Sequence, residues 1–161
     1  MNDNTSGTDV SETEGRRCTM QKVYLKDLSF ESPNSPDVFT TATEPRLGMN
    51  VQITSKDRTN DRYEIVLSVT VTATTDTGTA FLIEVDQGAI FLIQGYSEEE
   101  RKELITTICP SAMFPFAREA IWSIIGKGGF PPLLLRPMDF GAMVSGLNSD
   151  TDLAKNRPSE H

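Results

Sequence analysis

The side chains that most often carry enzyme chemistry are scarce in this chain. Its single histidine, His161, is the last residue and ends a polar segment. Serine and cysteine nucleophiles need a neighbouring base, for which histidine is the usual choice. A histidine zinc site needs imidazoles at short spacing. The composition therefore argues against a Ser–His–Asp triad, a Cys–His pair and a histidine-bound zinc ion.

Three other groups of residues have the right types for chemistry, but each has a simpler structural explanation. Asp57 and Asp61 flank a polar hairpin, where a solvated turn accounts for them. Glu98–Glu100 follow Ser97 in a pattern typical of a helix N-terminus. The glycine-rich segment 126–129 follows a helical pattern and lacks the spacing of a phosphate-binding loop. We therefore expect no enzyme activity, no cofactor and no metal site.

The two cysteines, Cys18 and Cys109, lie far apart in the sequence. Cys18 belongs to a polar N-terminal segment and Cys109 to a helical pattern. Two reduced thiols of a cytoplasmic protein explain them most simply, and a disulfide or a shared metal is the alternative. The sequence leaves this choice open.

The net charge of the 161-residue chain limits the classes of molecule that it is expected to bind. The formal net charge is −8, which argues against nucleic acid because binding a phosphate backbone requires clustered Lys and Arg. A basic protein partner fits an acidic surface better. No apolar run approaches the roughly 20 residues needed to cross a bilayer, and the N-terminus lacks the apolar core of a signal peptide. We expect a cytoplasmic protein with no direct membrane insertion.

Two hydrophobic patterns follow each other along the chain. Segments that alternate apolar and polar residues predict four β-strands, at 23–31, 47–54, 63–72 and 79–93. After Ser97, apolar residues recur every three or four positions and predict a long helix, interrupted at Pro110, and a short one capped by Asp139. This order predicts an α+β fold. We expect a four-stranded antiparallel sheet with a long kinked helix and a shorter C-terminal helix packed on one face.

The polar ends of the chain define its predicted domain organisation. Residues 1–20 predict a disordered acidic leader and residues 148–161 a disordered tail, since neither contains enough apolar residues to offset the entropy of ordering. The folded domain is predicted at 21–147.

The fourth predicted strand has two contrasting faces, and Gly88 within it predicts a bulge or a bend. The outward face mixes acidic and aliphatic residues: Leu82, Glu84 and Asp86. The inward face is mainly apolar: Phe81, Ile83, Val85 and Gln87. An outward face of this kind is more typical of a docking surface than of a catalytic site.

Two further apolar features each allow two interpretations. The segment 130–138 is strongly apolar for a connection. It either folds over the sheet and completes the core, or forms one wall of a hydrophobic groove opposite Phe39, and the two are compatible. The long helix has a wide apolar arc that includes Trp122. That arc indicates either an oligomer interface or a helix fully covered by its own sheet and the last helix.

Four segments occur in an order and spacing that match a known family. They read YLKDLSFESPN at 24–34, TAFLIEVDQGAIF at 79–91, CPSAMFPFARE at 109–119 and GFPPLLLRPMDF at 129–140. Together they resemble SecB, the bacterial protein-export chaperone family. The resemblance implies a cytoplasmic homotetramer, a dimer of dimers, that holds unfolded precursor proteins and delivers them to the translocase ATPase SecA. The alternative is a related chaperone serving a toxin–antitoxin system or general folding.

The resemblance also implies roles for particular residues. It places SecA docking on acidic residues and a leucine of the exposed sheet face: Asp27, Glu31, Leu82 and Glu84. It places the client groove on apolar residues of the crossover, the connecting loop and the last helix: Phe39, Phe130, Leu133, Leu135, Met138 and Phe140. It associates three residues of the fourth strand with tetramer assembly: Ile83, Val85 and Gln87.

Overall fold

The computed structural model describes residues 8–13, 15–41 and 43–147. Five strands come first: β1 Thr8–Thr13, β2 Arg16–Glu31, β3 Arg46–Asp57, β4 Arg62–Thr75 and β5 Gly78–Gln94, with a 3₁₀ turn at Asp37–Phe39 between β2 and β3. Helices follow: α1 Glu98–Glu103, a π-helical turn at Leu104–Ile108, α2 Cys109–Lys127 and α3 Phe140–Leu147.

The strands form one antiparallel sheet in the order β1-β2-β5-β4-β3. The four predicted strands correspond to β2 to β5, and the predicted fold class is confirmed. Outside them, β1 pairs with the first five residues of β2, and Gly15 supports the tight connection with a φ of +73°. The second half of β2 has no outer neighbour among the described residues.

The predicted disordered leader differs from the structure over residues 8–13 and 15–20. These residues form β1 and the start of β2, and Cys18 and Thr19 are buried. The burial of these two residues stabilises the segment, although the polar composition of residues 1–20 predicts disorder. Residues 1–7 and 14, like the predicted tail 148–161, lie outside the described residues.

The sheet has a buried inner face and an open outer face. Inward residues of the two central strands are nearly all buried: Tyr63, Ile65, Leu67, Val69 and Val71 in β4, and Phe81, Ile83, Val85, Ala89 and Phe91 in β5. Helix α2 covers this face with Ala117, Ile121 and Ile125. The strand period of two therefore separates one core layer from a solvated layer, as the alternation predicts.

The first and last helices begin where the sequence predicts. Ser97 and Glu100 form the predicted capping box of α1, and the Asp139 carboxylate accepts a hydrogen bond from the Ala142 amide at the start of α3. The predicted interruption takes the form of the π-helical turn, directly before Cys109 and Pro110. Among the described residues, no helix combines the length and apolarity required to traverse a bilayer.

Gly88 does not form the bulge that the sequence predicts. In the pairing of β2 with β5 the irregularities lie in β2, at the extra residues Gln21 and Lys26, whereas Gly88 pairs regularly with Tyr24 and Val66. Gly88 is required for another reason, because the ring of Tyr24 lies over it. A Cβ atom at Gly88 would come within 2.4 Å of the Tyr24 ring. Close approach of another group is a second reason for glycine inside a strand.

Candidate functional site

The register of β2 and β5 gathers acidic residues into one patch of the outer face. Glu31 lies opposite Leu82, Ser29 opposite Glu84, and Asp27 opposite Asp86. We call the cluster of Asp27, Glu31, Leu82, Glu84 and Asp86 the acidic patch. It unites the four residues predicted for SecA docking, and Asp86 from the same outward face. Asp27, Glu31 and Glu84 are exposed, whereas Leu82 and Asp86 are half-buried.

The charges of the acidic patch are not neutralised within the subunit. In the described part of the chain, none of its carboxylates forms an ion pair. Glu84 accepts only a weak hydrogen bond from the Ser29 hydroxyl, at 3.4 Å. Like charges directly opposite each other, as at Asp27 and Asp86, destabilise a sheet. A cationic partner would relieve that repulsion, so the patch is suited to bind a basic surface.

A second polar cluster on the outer face is internally satisfied. Glu64 is only 9% exposed. It accepts hydrogen bonds from the Tyr24 hydroxyl and, at 2.9 Å, from Lys26, while Arg58 lies 3.7 Å away. The bond from Tyr24, followed by that from Lys26, lowers the pKa of Glu64. Burial, then the bond to Glu64, raises the pKa of Tyr24 to about 12.

This cluster joins three elements across the sheet and flanks a depression of about 210 Å³. Lys26 is the extra residue of the second β2 bulge, which turns its side chain to the outer face beside Tyr24. Nothing in the alternation of β4 distinguishes Glu64 from its outward neighbours. Glu64 is already paired with Lys26 and Arg58. Among the described residues, the acidic patch is therefore the only region of unpaired negative charge on the outer face.

The three residues predicted for tetramer assembly are core residues of the subunit. Ile83 and Val85 are buried against the inner layer, and Gln87 is buried beside them. The Gln87 side-chain amide donates to the Tyr24 backbone carbonyl at 2.8 Å, next to the bulge at Lys26. Any effect of these residues on assembly must therefore act through the sheet and the helix packed on it.

Two of the predicted client residues, Phe39 and Phe130, meet in an aromatic cluster with Phe30 and Phe81 at one end of the sheet. The Phe130 ring centroid lies 5.0 Å from that of Phe39 and 4.9 Å from that of Phe81, and Phe30 packs on both Phe81 and Phe130. The crossover and the connecting loop thus touch each other. The loop partly completes the core, as one of the two interpretations predicts.

The connecting loop nevertheless leaves apolar surface open. Leu134 is 69% and Phe39 is 50% exposed, and Leu133, Leu135 and Met138 are half-buried. Phe140 differs, because it is buried against Phe114 with ring centroids 6.0 Å apart. Phe140 is therefore a core residue and not part of the open surface. We call Phe39, Phe130, Leu133, Leu134, Leu135 and Met138 the apolar strip.

Helix α2 presents a second apolar surface on its far side. Its inner side packs on the sheet, but Trp122 is 47% exposed, and Phe116 and Ile108 of the preceding π-helical turn are similarly open. The subunit's own sheet and last helix therefore do not cover the whole apolar arc. In the described residues, no group of three or more His, Cys, Asp or Glu side chains could hold a metal ion.

Comparison with known proteins gives a consistent assignment. The model of the family "SecB: Preprotein translocase subunit SecB" matches residues 11–148. The protein-export protein SecB of Nitrosococcus oceani is 43% identical over 145 residues, covering 89% of this chain and 88% of that protein. The corresponding protein of Methylococcus capsulatus is 44% identical over 128 residues, covering 80% and 83%.

A solved structure shares the fold. The SecB-like chaperone of Mycobacterium tuberculosis, determined in complex with a ChAD peptide from an antitoxin, superposes with a TM-score of 0.61. The match covers 76% of this chain and 91% of that one at 16% identity. At this identity the similarity supports the α+β architecture alone.

Proposed function

The chain belongs to the SecB family of protein-export chaperones, and from this premise we propose that it is an ATP-independent holdase. It keeps precursor proteins unfolded in the cytoplasm and delivers them to the SecA translocase. The observation that carries the proposal is the division of one subunit into two surfaces of opposite character. An unpaired acidic patch lies on the outer face, and an apolar strip borders one end of the sheet.

Client holding is proposed for the apolar strip. Unfolded precursors expose apolar and aromatic segments, and burial contributes about 25 cal/mol per Å² of apolar area. Leucine, methionine and phenylalanine side chains on a loop accept varied partners without demanding one sequence. A client that folds buries the same segments and leaves by mass action. This mechanism requires no nucleotide and no bond-making step, so we propose that the protein is not an enzyme.

Delivery is proposed for the acidic patch. Its unpaired carboxylates attract a basic SecA surface, and Leu82 supplies a central apolar contact within the charged rim. Burying an apolar residue inside a polar rim is the common anatomy of a protein interface. Electrostatic attraction of this kind raises the association rate and weakens as salt increases.

Self-association into a tetramer, a dimer of dimers, is proposed for the chain. The exposed far side of α2, with Phe116, Trp122 and Ile108 of the preceding π-helical turn, is an apolar surface of the kind that subunits bury against each other. Several apolar strips on one particle would bind different segments of one client, so weak contacts add through effective concentration.

A pull-down with two baits tests the proposal and separates it from the alternative chaperone role. Purified chain is mixed with a denatured secretory precursor, then with immobilised SecA. The proposal predicts that SecA retains the chain with and without precursor, and that the precursor is retained only when the chain is present. Precursor capture without any retention by SecA would favour a chaperone for a toxin–antitoxin system or general folding.

A further inference from the structure

The only two cysteines of the chain meet at the junction between sheet and helix. Cys18 Sγ lies 3.9 Å from Cys109 Sγ, although the residues are 91 positions apart, and both are fully buried. Cys18 lies in β2 between Ser11 of β1 and Ile93 of β5. Cys109 is the first residue of α2. A disulfide needs an S–S distance of about 2.05 Å, so side-chain rotation and a small shift would join the two thiols.

Cys109 lies at an irregular point of the long helix. It directly follows the π-helical turn, and its backbone amide bonds to the Leu104 carbonyl with π-helical spacing. A π turn departs from regular helical hydrogen bonding and frequently lies at a functional position. Parts of one structure open locally at different free-energy costs. Opening at the turn would admit a small oxidant to the buried thiols without unfolding the sheet.

We propose that Cys18 and Cys109 form a reversible redox site that closes to an intramolecular disulfide in the presence of a hydroperoxide. The Cys18 thiolate attacks the peroxide and becomes a sulfenic acid, releasing water or an alcohol. The Cys109 sulfur then attacks the sulfenic sulfur, forming the S–S bond and expelling water. Two electrons pass from the thiols to the peroxide, and a dithiol reductant reverses the change by thiol–disulfide exchange.

The electrostatics of the pair support the order of these steps. The hydrogen bond with Cys109 lowers the pKa of Cys18, against the opposing effect of burial. That hydrogen bond, followed by burial, raises the pKa of Cys109. Cys18 is therefore the thiol more readily ionised, and the thiolate is the reactive form.

The bridge would tie β2 covalently to α2 and close a long loop of chain. Cross-linking residues far apart in sequence stabilises the folded state, because it removes conformations from the unfolded chain. Neither cysteine belongs to the acidic patch or to the apolar strip, and Asp27 and Glu31 of the acidic patch lie at the other end of β2 from Cys18. Oxidised protein is therefore expected to resist unfolding more strongly while retaining its binding surfaces.

Peroxide treatment of the full-length chain tests the proposal. Reduced protein is incubated with hydrogen peroxide, denatured in N-ethylmaleimide and analysed by intact mass and non-reducing electrophoresis. The expected product lacks two hydrogens, carries no maleimide, migrates as a single chain and regains two labelled thiols after dithiothreitol. Its thermal midpoint should rise by about 5 °C or more relative to reduced protein.

Several results of the peroxide treatment would contradict the proposed disulfide. Two maleimide-labelled thiols after prolonged treatment, added oxygen atoms without loss of hydrogen, or a disulfide between two chains would each overturn the assignment. An unchanged midpoint in fully bridged protein would overturn the stabilising role. The variant Cys109→Ser, which keeps a hydroxyl donor beside Cys18 but has no resolving thiol, should instead accumulate a dimedone-reactive sulfenic acid at Cys18. The wild-type measurements decide the matter even where that variant folds poorly.

Discussion

The Gln87 side-chain amide donates a 2.8 Å hydrogen bond to the backbone carbonyl of Tyr24. This bond lies where the extra residue Lys26 interrupts the regular pairing of β2 with β5. Gln87 is buried on the inner face among aliphatic residues, where a glutamine is otherwise unfavourable. It stabilises the bulge that turns Lys26 towards Glu64 on the outer face. A single buried amide thus connects the core to the arrangement of the outer surface.

Replacing Gln87 by methionine should destabilise the protein. The substitution keeps side-chain volume but leaves the Tyr24 carbonyl without its side-chain donor, at a cost of about 1–3 kcal/mol in unfolding free energy. Urea unfolding followed by circular dichroism measures this. Gln52→Met is the control, because Gln52 is exposed in the edge strand β3 and should change stability by less than about 0.5 kcal/mol. Equal effects of the two substitutions would contradict the structural role of Gln87.

Adding a methyl group at two glycines should have opposite effects. In Gly88→Ala the new Cβ meets the Tyr24 ring at 2.4 Å, and Glu64 holds that ring through its hydroxyl. The expected loss is about 1–3 kcal/mol. Gly126→Ala is the matched control, because it lies in α2 with nothing within 4 Å of the added atom. It should gain about 0.5–1 kcal/mol. A neutral Gly88→Ala would mean that Tyr24 does not lie over Gly88.

The bond between Tyr24 and Glu64 should make stability depend on pH at both extremes. The folded pKa of Glu64 is lowered, so its contribution is present above about pH 4.3 and is lost as pH falls through the folded pKa. The folded pKa of Tyr24 is raised to about 12, so its contribution is present below about pH 10 and is lost as pH rises through about 12.

The variant Tyr24→Phe measures this dependence. The difference in unfolding free energy from wild type should be constant between about pH 5 and 9 and should shrink below about pH 4. Tyr63→Phe is the control, because the Tyr63 ring lies on the inner face, with Arg101 over it at 5.5 Å. Its difference from wild type should not vary over the acidic range. A pH-independent effect of Tyr24→Phe would rule out the contribution of its bond to Glu64.

Reversing the charge at Glu84 should weaken SecA binding selectively. Glu84→Lys places a cation among Asp27, Glu31 and Asp86 and repels a basic partner. We expect at least about a tenfold loss of affinity, which is about 1.4 kcal/mol. Isothermal calorimetry with purified SecA measures it. Glu103→Lys, an exposed charge reversal at the end of α1, should bind normally. Equal losses in both variants would assign the effect to net charge rather than to the acidic patch.

Much of the sheet could be predicted because its faces follow a strict period of two. The alternation in β5 placed Leu82, Glu84 and Asp86 outward, where the structure has them. The bulges at Gln21 and Lys26 could not be predicted, because glutamine and lysine carry no bulge signal. Gly88 did carry a signal, but a bulge and a close side-chain approach require the same residue type.

The other structural features that the sequence did not predict are contacts between residues far apart in the chain. The pairing of Cys18 with Cys109 depends on how α2 crosses the sheet, which no local pattern records. The burial of Glu64 depends on the Tyr24 ring two strands away. The strand β1 depends on a hairpin at Gly15 within a polar segment that resembles a disordered leader. Local periodicity therefore predicts which face a residue occupies, but not which distant residue meets it.

Suppression of aggregation tests the central claim most directly. A secretory precursor denatured in urea is diluted into nucleotide-free buffer, and light scattering is followed with wild-type chain and with the double variant Leu133→Ser and Leu135→Ser. The control is Leu47→Ser, at an exposed residue of β3 outside the apolar strip. We predict that wild type and Leu47→Ser suppress scattering and that the double variant loses most of this effect while still binding SecA. Wild-type protein that leaves precursor aggregation unchanged would contradict the assignment as a holdase.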